Sequence, residues 1–258
     1  MKKNTVQLQN ITLGAGMPKI CVPVMGKNLR ELEAAVLAAR EQADLIELRL
    51  DSVSPEIDAD ELCAVCRALR EKAQGTALLA TMRTVRDGGA GDADAARYEA
   101  LLTALAKAHV CDALDAELSV GEDAFARIVK AAHAAGVPVV GSFHDFEKTP
   151  SIEAMENKLR RMAALGADVC KIAVMPKTEE DVRALQTACA RANDALTQPI
   201  IAISMGALGV STRTQAEAFG SCLSFGTVGA ASAPGQMEAR ALRQALEALH
   251  KKLTNREP

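Results

Sequence analysis

Tryptophan is absent from this 258-residue chain, which has one tyrosine and five phenylalanines. Its core must therefore be aliphatic, built from Ala, Leu, Val, Ile and Met. Binding of single-stranded nucleic acid leans on aromatic stacking platforms, which this composition does not supply. A strong charge of either sign is missing too: 30 Lys and Arg stand against 33 Asp and Glu, a formal net charge of −3. The basic residues are scattered, so neither nucleic acid nor a membrane surface is an expected partner. No apolar run approaches the roughly 18 residues of a membrane span. The N-terminus, Met-Lys-Lys-Asn-Thr-Val-Gln-Leu-Gln-Asn, lacks the apolar stretch of a secretory signal. The cysteines number seven, an odd count, and a cytoplasmic location with reduced thiols is expected. Neither GxGxxG after a strand nor GxxxxGK followed by Ser or Thr occurs, so nucleotide-binding loops lack their key residues. Cys63 and Cys66 form a CxxC, but it falls mid-helix without a second pair, and a structural zinc needs four ligands. No metal is expected. His109, His133 and His250 fall on helical stretches and read as surface or packing residues.

What the chain does have is alternation of short apolar runs with longer amphipathic ones. The strand-like runs are Lys19–Val24, Asp44–Leu50, Ala77–Met82, Ala113–Glu117, Val137–Phe143, Asp168–Val174, Pro199–Ser204 and Cys222–Val228. Between them apolar residues recur at helical spacing. Examples are Asn28–Gln42, with Leu29, Leu32, Val36 and Leu37, and Ile152–Leu165, with Met155, Leu159, Met162 and Ala163. Gly136 and Gly166 fit left-handed helix ends, and Asp58 and Thr178 fit helix starts. Eight strand–helix units in succession match an α/β fold of the (β/α)8 TIM barrel type, whose typical length is about 250 residues. A doubly wound open sheet uses the same alternation and stays as the alternative. The first dozen residues read as an extended segment or hairpin closing the bottom of the barrel. No Pro-, Gly- or Ser-rich linker interrupts the chain, so residues 1–258 are expected to form a single (β/α)8 barrel domain.

In either architecture function collects at the C-terminal ends of the strands. Lys171 lies there, in Ala-Asp-Val-Cys-Lys-Ile-Ala-Val-Met (167–175). Burial in such a strand strips an ammonium of hydration and points to an amine free to attack a carbonyl, the requirement of a Schiff-base lysine. His144, a natural proton carrier, follows the run Val-Pro-Val-Val-Gly-Ser-Phe (137–143). Glu47, Arg49 and Asp51 alternate in ELRLD and share one strand face, where they are expected to point into the barrel mouth and pair with one another. The third strand offers Thr81 and Arg83, then Asp87 before Gly88-Gly89. Asp115 and Glu117 on the fourth strand read as structural. Ser204-Met205-Gly206 ends the seventh, with Arg213 at the next helix start, and Gly229-Ala-Ala-Ser-Ala-Pro-Gly-Gln236 follows the eighth. Three arginines around one mouth imply an anionic ligand, a carboxylate held by a bidentate contact.

Taken together, ELRLD, TMRTVRDGG, GSFHDFEKTP, ADVCKIAVMP, ISMGALGVSTR, FGSCLSFGTV and SAPGQ, with PKICVPVMG near the N-terminus, resemble the type I 3-dehydroquinate dehydratases in order and spacing. The resemblance runs across nearly the whole chain. It implies a (β/α)8 barrel, usually a homodimer, acting on 3-dehydroquinate in the shikimate route with no metal and no organic cofactor. It implies that Lys171 forms an imine with the substrate ketone. His144 then removes a proton from the adjacent carbon and helps the hydroxyl leave as water. By the same resemblance Asp87 stands where a carboxylate hydrogen-bonds the catalytic histidine, and Arg213 holds the substrate carboxylate. Glu47, Arg49 and Arg83 bind its hydroxyls, Met205 belongs to the substrate site, and Ser232 and Gln236 come from a loop that closes over the ligand. Two positions depart from the family pattern. The family has Glu where this chain has Asp87, a side chain shorter by one methylene. That sets the carboxylate back by roughly 1.3 Å unless the loop moves or a water bridges to His144; on that count Asp87→Glu is expected to preserve or raise turnover. Ala207 stands where many relatives carry a lysine. A class I aldolase using Lys171 for carbon–carbon cleavage, and a non-catalytic barrel that binds a carboxylate, are the alternatives.

Overall fold

The computed structural model describes residues 3–54, 57–92, 94–229 and 233–255. Strands β1 (Val6–Leu8) and β2 (Ile11–Leu13) pair antiparallel as a hairpin. The next eight strands are β3 (Lys19–Val24), β4 (Leu45–Arg49), β5 (Ala77–Thr81), β6 (Ala113–Glu117), β7 (Val139–Asp145), β8 (Val169–Val174), β9 (Ile200–Ser204) and β10 (Leu223–Phe225). Each runs parallel to the next, and β10 pairs with β3. The last seam closes where the Cys222 N–H donates to the Ile200 carbonyl at 2.8 Å, beside a bridge between Ile200 and Ser221. A sheet with both edges joined is a (β/α)8 barrel, which rules out the open doubly wound alternative.

Helices α1 (Leu29–Ala39), α2 (Ala59–Ala73), α3 (Ala95–Lys107), α4 (Glu122–Ala134), α5 (Ile152–Ala164), α6 (Glu179–Ala195), α7 (Val210–Thr214) and α8 (Ala239–Thr254) follow β3 to β10 in turn. Their starts are built locally. Asn28 and Asp58 accept from the N–H three residues on, and Thr178 forms a capping box with Asp181. Gly136 and Gly166 take the left-handed conformation just past α4 and α5. Cys63 and Cys66 are buried on α2, and burial pushes both thiols up. His109 lies just past the end of α3 in a left-handed conformation, not on the helix.

Two expectations about the outer layer need correction. Leu32 and Val36 of α1 are buried, but Leu29 and Leu37 are exposed, because successive residues on a helix point about 100° apart and only one stripe meets the barrel. The run Cys222–Val228 yields only the short β10. After it Gly226 lies so close to α8 that a Cβ there would sit 3.0 Å from the Ala239 Cα, and the chain turns away.

The inward face of each strand is layered. Cys21, Leu45, Leu79, Ala113, Val140, Val169, Ile201 and Leu223 form an aliphatic cluster that includes Leu8, Ile11 and Leu13 of the hairpin, which seals the bottom. Two residues further along, the same faces present Glu47, Thr81, Asp115, Ser142 and Lys171, all buried. The period of two thus lifts β4 to β8 from an apolar layer into a polar one.

Tyr98, on α3, anchors β6 beneath that polar layer. Its buried hydroxyl accepts from the Glu117 N–H at 3.0 Å and donates to the Asp115 carbonyl at 3.4 Å. Tyr98→Phe leaves a buried N–H without a partner. Urea unfolding should show a loss of about 1–3 kcal/mol.

Candidate active site

The polar layer opens upward into a cavity. Its lining includes Glu47, Arg49, Arg83, Asp87, His144, Lys171, Met205, Arg213 and Gln236, with Pro23, Phe146, Ala173, Ile203 and Phe225 as apolar wall. Nine of the ten candidate residues therefore meet in one place. Ser232 lies outside the described residues.

Lys171 is 3 % exposed. Its Nζ lies 3.3 Å from Asp115 Oδ2, 3.6 Å from Glu47 Oε1 and 4.5 Å from the centre of the Phe225 ring. It is buried as the strand pattern implies, and two carboxylates flank it. Arg83, one of the three arginines expected around the mouth, is itself bound on both sides. Its Nη2 is 2.8 Å from Asp115 Oδ2, and its Nη1 donates to Glu117 Oε1 at 2.9 Å and to Ser142 Oγ at 3.0 Å. Burial opposes ionisation of Asp115, but Arg83, Lys171 and His144 outweigh it and hold this carboxyl well below the usual range. Glu117 is moved the other way, up, by burial. Asp115 and Glu117 were read from sequence as structural. Glu117 fits that, bonded to Arg83 and to Thr84. Asp115 touches Lys171 directly, and the signal was its inward register on the strand face that also carries Ala113.

Of the ELRLD triplet, Arg49 and Asp51 do pair, through two bonds of 2.8 Å from Nε and Nη2. Glu47 does not join them. It accepts from Thr81 Oγ1 at 3.0 Å and faces Lys171.

His144 stands on β7 two residues beyond Ser142, the register partner of Lys171. One oxygen of Asp87, Oδ2, meets both the His144 backbone N–H at 2.9 Å and the ring Nδ1 at 3.0 Å. With Nδ1–H donating to Asp87, Nε2 is left as the acceptor of the neutral ring. Burial, then the charges of Arg83 and Lys171, hold the imidazole well below its ordinary value. The shorter side chain of Asp87 therefore does not fall short, and the loop accounts for its reach. Val85–Asp87 forms a 3-10 turn, Gly88 follows at φ 80°, and a Cβ there would lie 2.3 Å from the Phe146 ring. Gly89 sits so close to the Arg83 carbonyl that a Cβ would be 2.1 Å from its oxygen. Only glycine permits both approaches, and together they draw Asp87 onto the histidine.

Arg213 is 1 % exposed and has no carboxylate partner among the described residues. Its Nη1 and Nη2 donate to the Phe225 and Pro234 carbonyls at 3.3 and 3.2 Å, and its Nε is buried without a partner. Burial pushes it down to about 10. Arg83 and Lys171, the other buried basic side chains here, both face carboxylates. Arg213 is therefore a buried cation that no carboxylate among the described residues balances.

The family model of type I 3-dehydroquinase matches residues 20–253. The 3-dehydroquinate dehydratase of Bacillus licheniformis is 41% identical over 253 residues, covering 97% of this chain and 100% of that one. That of Lactiplantibacillus plantarum is 42% identical over 247 residues, 95% of this chain and 97% of its own. Among solved structures, the type I 3-dehydroquinate dehydratase of Clostridium difficile with covalently modified comenic acid superposes with a TM-score of 0.93. It is 38% identical and covers 97% of this chain and 99% of its own.

The chain belongs to the type I 3-dehydroquinase family.

It is thus a hydro-lyase, and the aldolase alternative falls away. As a type I 3-dehydroquinase it holds its histidine with Asp87, and the direct 3.0 Å contact reverses the expectation for the longer side chain. A glutamate has no room to extend, because Asp87 is 1 % exposed and its oxygen is already in place. Asp87→Glu should lower kcat by about tenfold or more, the cost of displacing a positioned group by about 1 Å. Steady-state kinetics with unchanged folding by circular dichroism checks this.

Proposed function

We propose that this protein dehydrates 3-dehydroquinate to 3-dehydroshikimate in the shikimate route, through a Schiff base on Lys171 with His144 as general acid and base. The observation that carries the reading is one cavity shared by three groups: Lys171, a neutral His144 oriented by Asp87, and Arg213, a buried cation with no counter-ion among the described residues. On the resemblance alone we extend it to a cytoplasmic homodimer.

A ketone is a weak electron sink, whereas its protonated imine acidifies the neighbouring C–H and stabilises the enamine that forms. Arg213 presents a planar fork to the substrate carboxylate and fixes the ring against Lys171. His144 takes the proton from the adjacent carbon through Nε2, since Nδ1 is committed to Asp87. Its depressed basicity keeps it unprotonated at neutral pH and makes its conjugate acid a ready donor to the departing hydroxyl. Arg49, Met205 and Gln236 complete the wall around the ring. The apolar wall of Phe146, Ile203 and Phe225 limits water that would hydrolyse the imine early.

Borohydride added during turnover should fix ligand to Lys171, read by peptide mass spectrometry. Label elsewhere, or none, overturns the Schiff-base reading. Arg213→Lys keeps the charge but loses the fork, so kcat/KM should fall on the order of 10². An unchanged value would take the carboxylate away from this residue.

A further inference from the structure

We propose that Glu47 is the base that takes the proton from the Lys171 ammonium before attack, and the acid that returns it to the departing oxygen. This rests on the Schiff-base reading above. The difficulty it resolves is set by the geometry. An ammonium cannot attack a carbonyl, so the nitrogen must first lose a proton, and the acceptors beside Nζ are two carboxylates.

Two oxygens lie within reach of Nζ. Asp115 Oδ2, at 3.3 Å, is already bonded to Arg83 Nη2 at 2.8 Å, while Oδ1 accepts from Ser142 Oγ at 2.6 Å. Protonating Asp115 would break a buried ion pair, and Asp115 does not line the cavity. Glu47 Oε1, at 3.6 Å, has the neutral Thr81 hydroxyl as its hydrogen-bond donor and does line the cavity where the ketone arrives. His144 is the third candidate, but its Nδ1 is occupied by Asp87 and it stands one inward step above the lysine. The charged or titratable groups facing Lys171 and Glu47 are Cys21 from β3, Arg49 from β4, Arg83 and Asp87 from beyond β5, Asp115 from β6, His144 from β7 and Arg213 from α7. The inward residues of β9 and β10, Ile201, Ile203 and Phe225, add none.

The proton count closes. The ammonium gives one proton to the Glu47 carboxylate, and the free amine forms the C–N bond at the ketone carbon. A second proton passes from nitrogen to the new alkoxide, giving a carbinolamine. Protonated Glu47 then returns the first proton to that hydroxyl. The C–O bond breaks, water leaves, and the protonated imine carries the one hydrogen remaining on nitrogen. Asp115 stays ionised throughout and faces the cationic nitrogen.

The test is rapid-quench borohydride trapping at saturating 3-dehydroquinate, reading the rate of imine formation on Lys171. Removing the Glu47 charge alone would favour the neutral amine and speed attack. Loss of proton transfer predicts the opposite sign. Glu47→Gln should slow the saturating rate about 10²-fold or more, and added formate should speed Glu47→Ala in proportion to its concentration. A saturating rate unchanged or raised in Glu47→Gln, with only half-saturation affected, assigns Glu47 to substrate binding and overturns the proposal. So does a slow Glu47→Ala that formate leaves slow. Should Glu47→Gln fail to fold, the Glu47→Ala formate series decides in the same way. If the wild-type protein itself acquires no label at Lys171, the Schiff-base reading is what has failed; normal wild-type labelling with a fast Glu47→Gln fails this proposal alone.

Discussion

The Arg83–Asp115 ion pair holds the upper barrel together. At 2.8 Å and buried, it balances two charges that Ser142, Lys171 and Glu117 lean on. Asp115 meets Lys171, and Arg83 reaches Glu117 and Ser142. Removing one member of such a pair leaves the other buried and uncompensated, at a cost of about 3–5 kcal/mol. The pair therefore does more to fix positions than to add stability, since an apolar pair of similar size would pack at least as well. What it fixes is Lys171 at the centre of the cylinder, on a strand buried along its length.

A second line of contacts carries the same order to the histidine. Asp51 holds the Arg49 guanidinium and also accepts from the Arg83 and Ala90 backbone N–H groups, at 3.3 and 3.2 Å. That pins both ends of the loop whose apex is Asp87. Asp87 in turn sets the His144 ring. Lysine and histidine thus descend from one charged network, although they come from different strands and a loop. A disturbance at Asp51 would reach His144 without touching it.

Much of this was legible in the sequence, and the exceptions share a cause. Lys19–Val24 and Ala113–Glu117 can be bounded to the residue, because a β period in a closed barrel is set by burial on both faces. Lys171 and His144 stand out because their side chains are costly to bury unused. What the strand pattern could not supply was distance across the barrel. The pairing of Lys171 with Asp115 joins residues on β8 and β6, strands separated by β7, and depends on the tilt that brings their inward faces level. The reach of Asp87 depended on the path of the Gly88-Gly89 turn, which side-chain length alone does not report. Leu29 and Leu37 counted as apolar in the pattern yet face outward, since periodicity reports a stripe only to within a residue or so.

The charge balance also argues for how an acid substrate would be oriented. Lys171 already has Asp115 and Glu47 beside it, and Arg49 has Asp51. A carboxylate entering the cavity would gain least from these and most from Arg213, whose fork among the described residues meets two carbonyls and leaves Nε unused. Attraction to an unpaired buried cation is not diluted by competing anions and is little screened by solvent. On this balance a carboxylate would seat at Arg213. The ring it carries must then present its remaining groups to Lys171, Glu47 and His144. The same arrangement disfavours the reverse pose, in which a carboxylate approaches Lys171, because it would meet the negative charges of Asp115 and Glu47 first. One cation without a carboxylate partner among the described residues, set against another given two, would bias the orientation of an acid in this cavity.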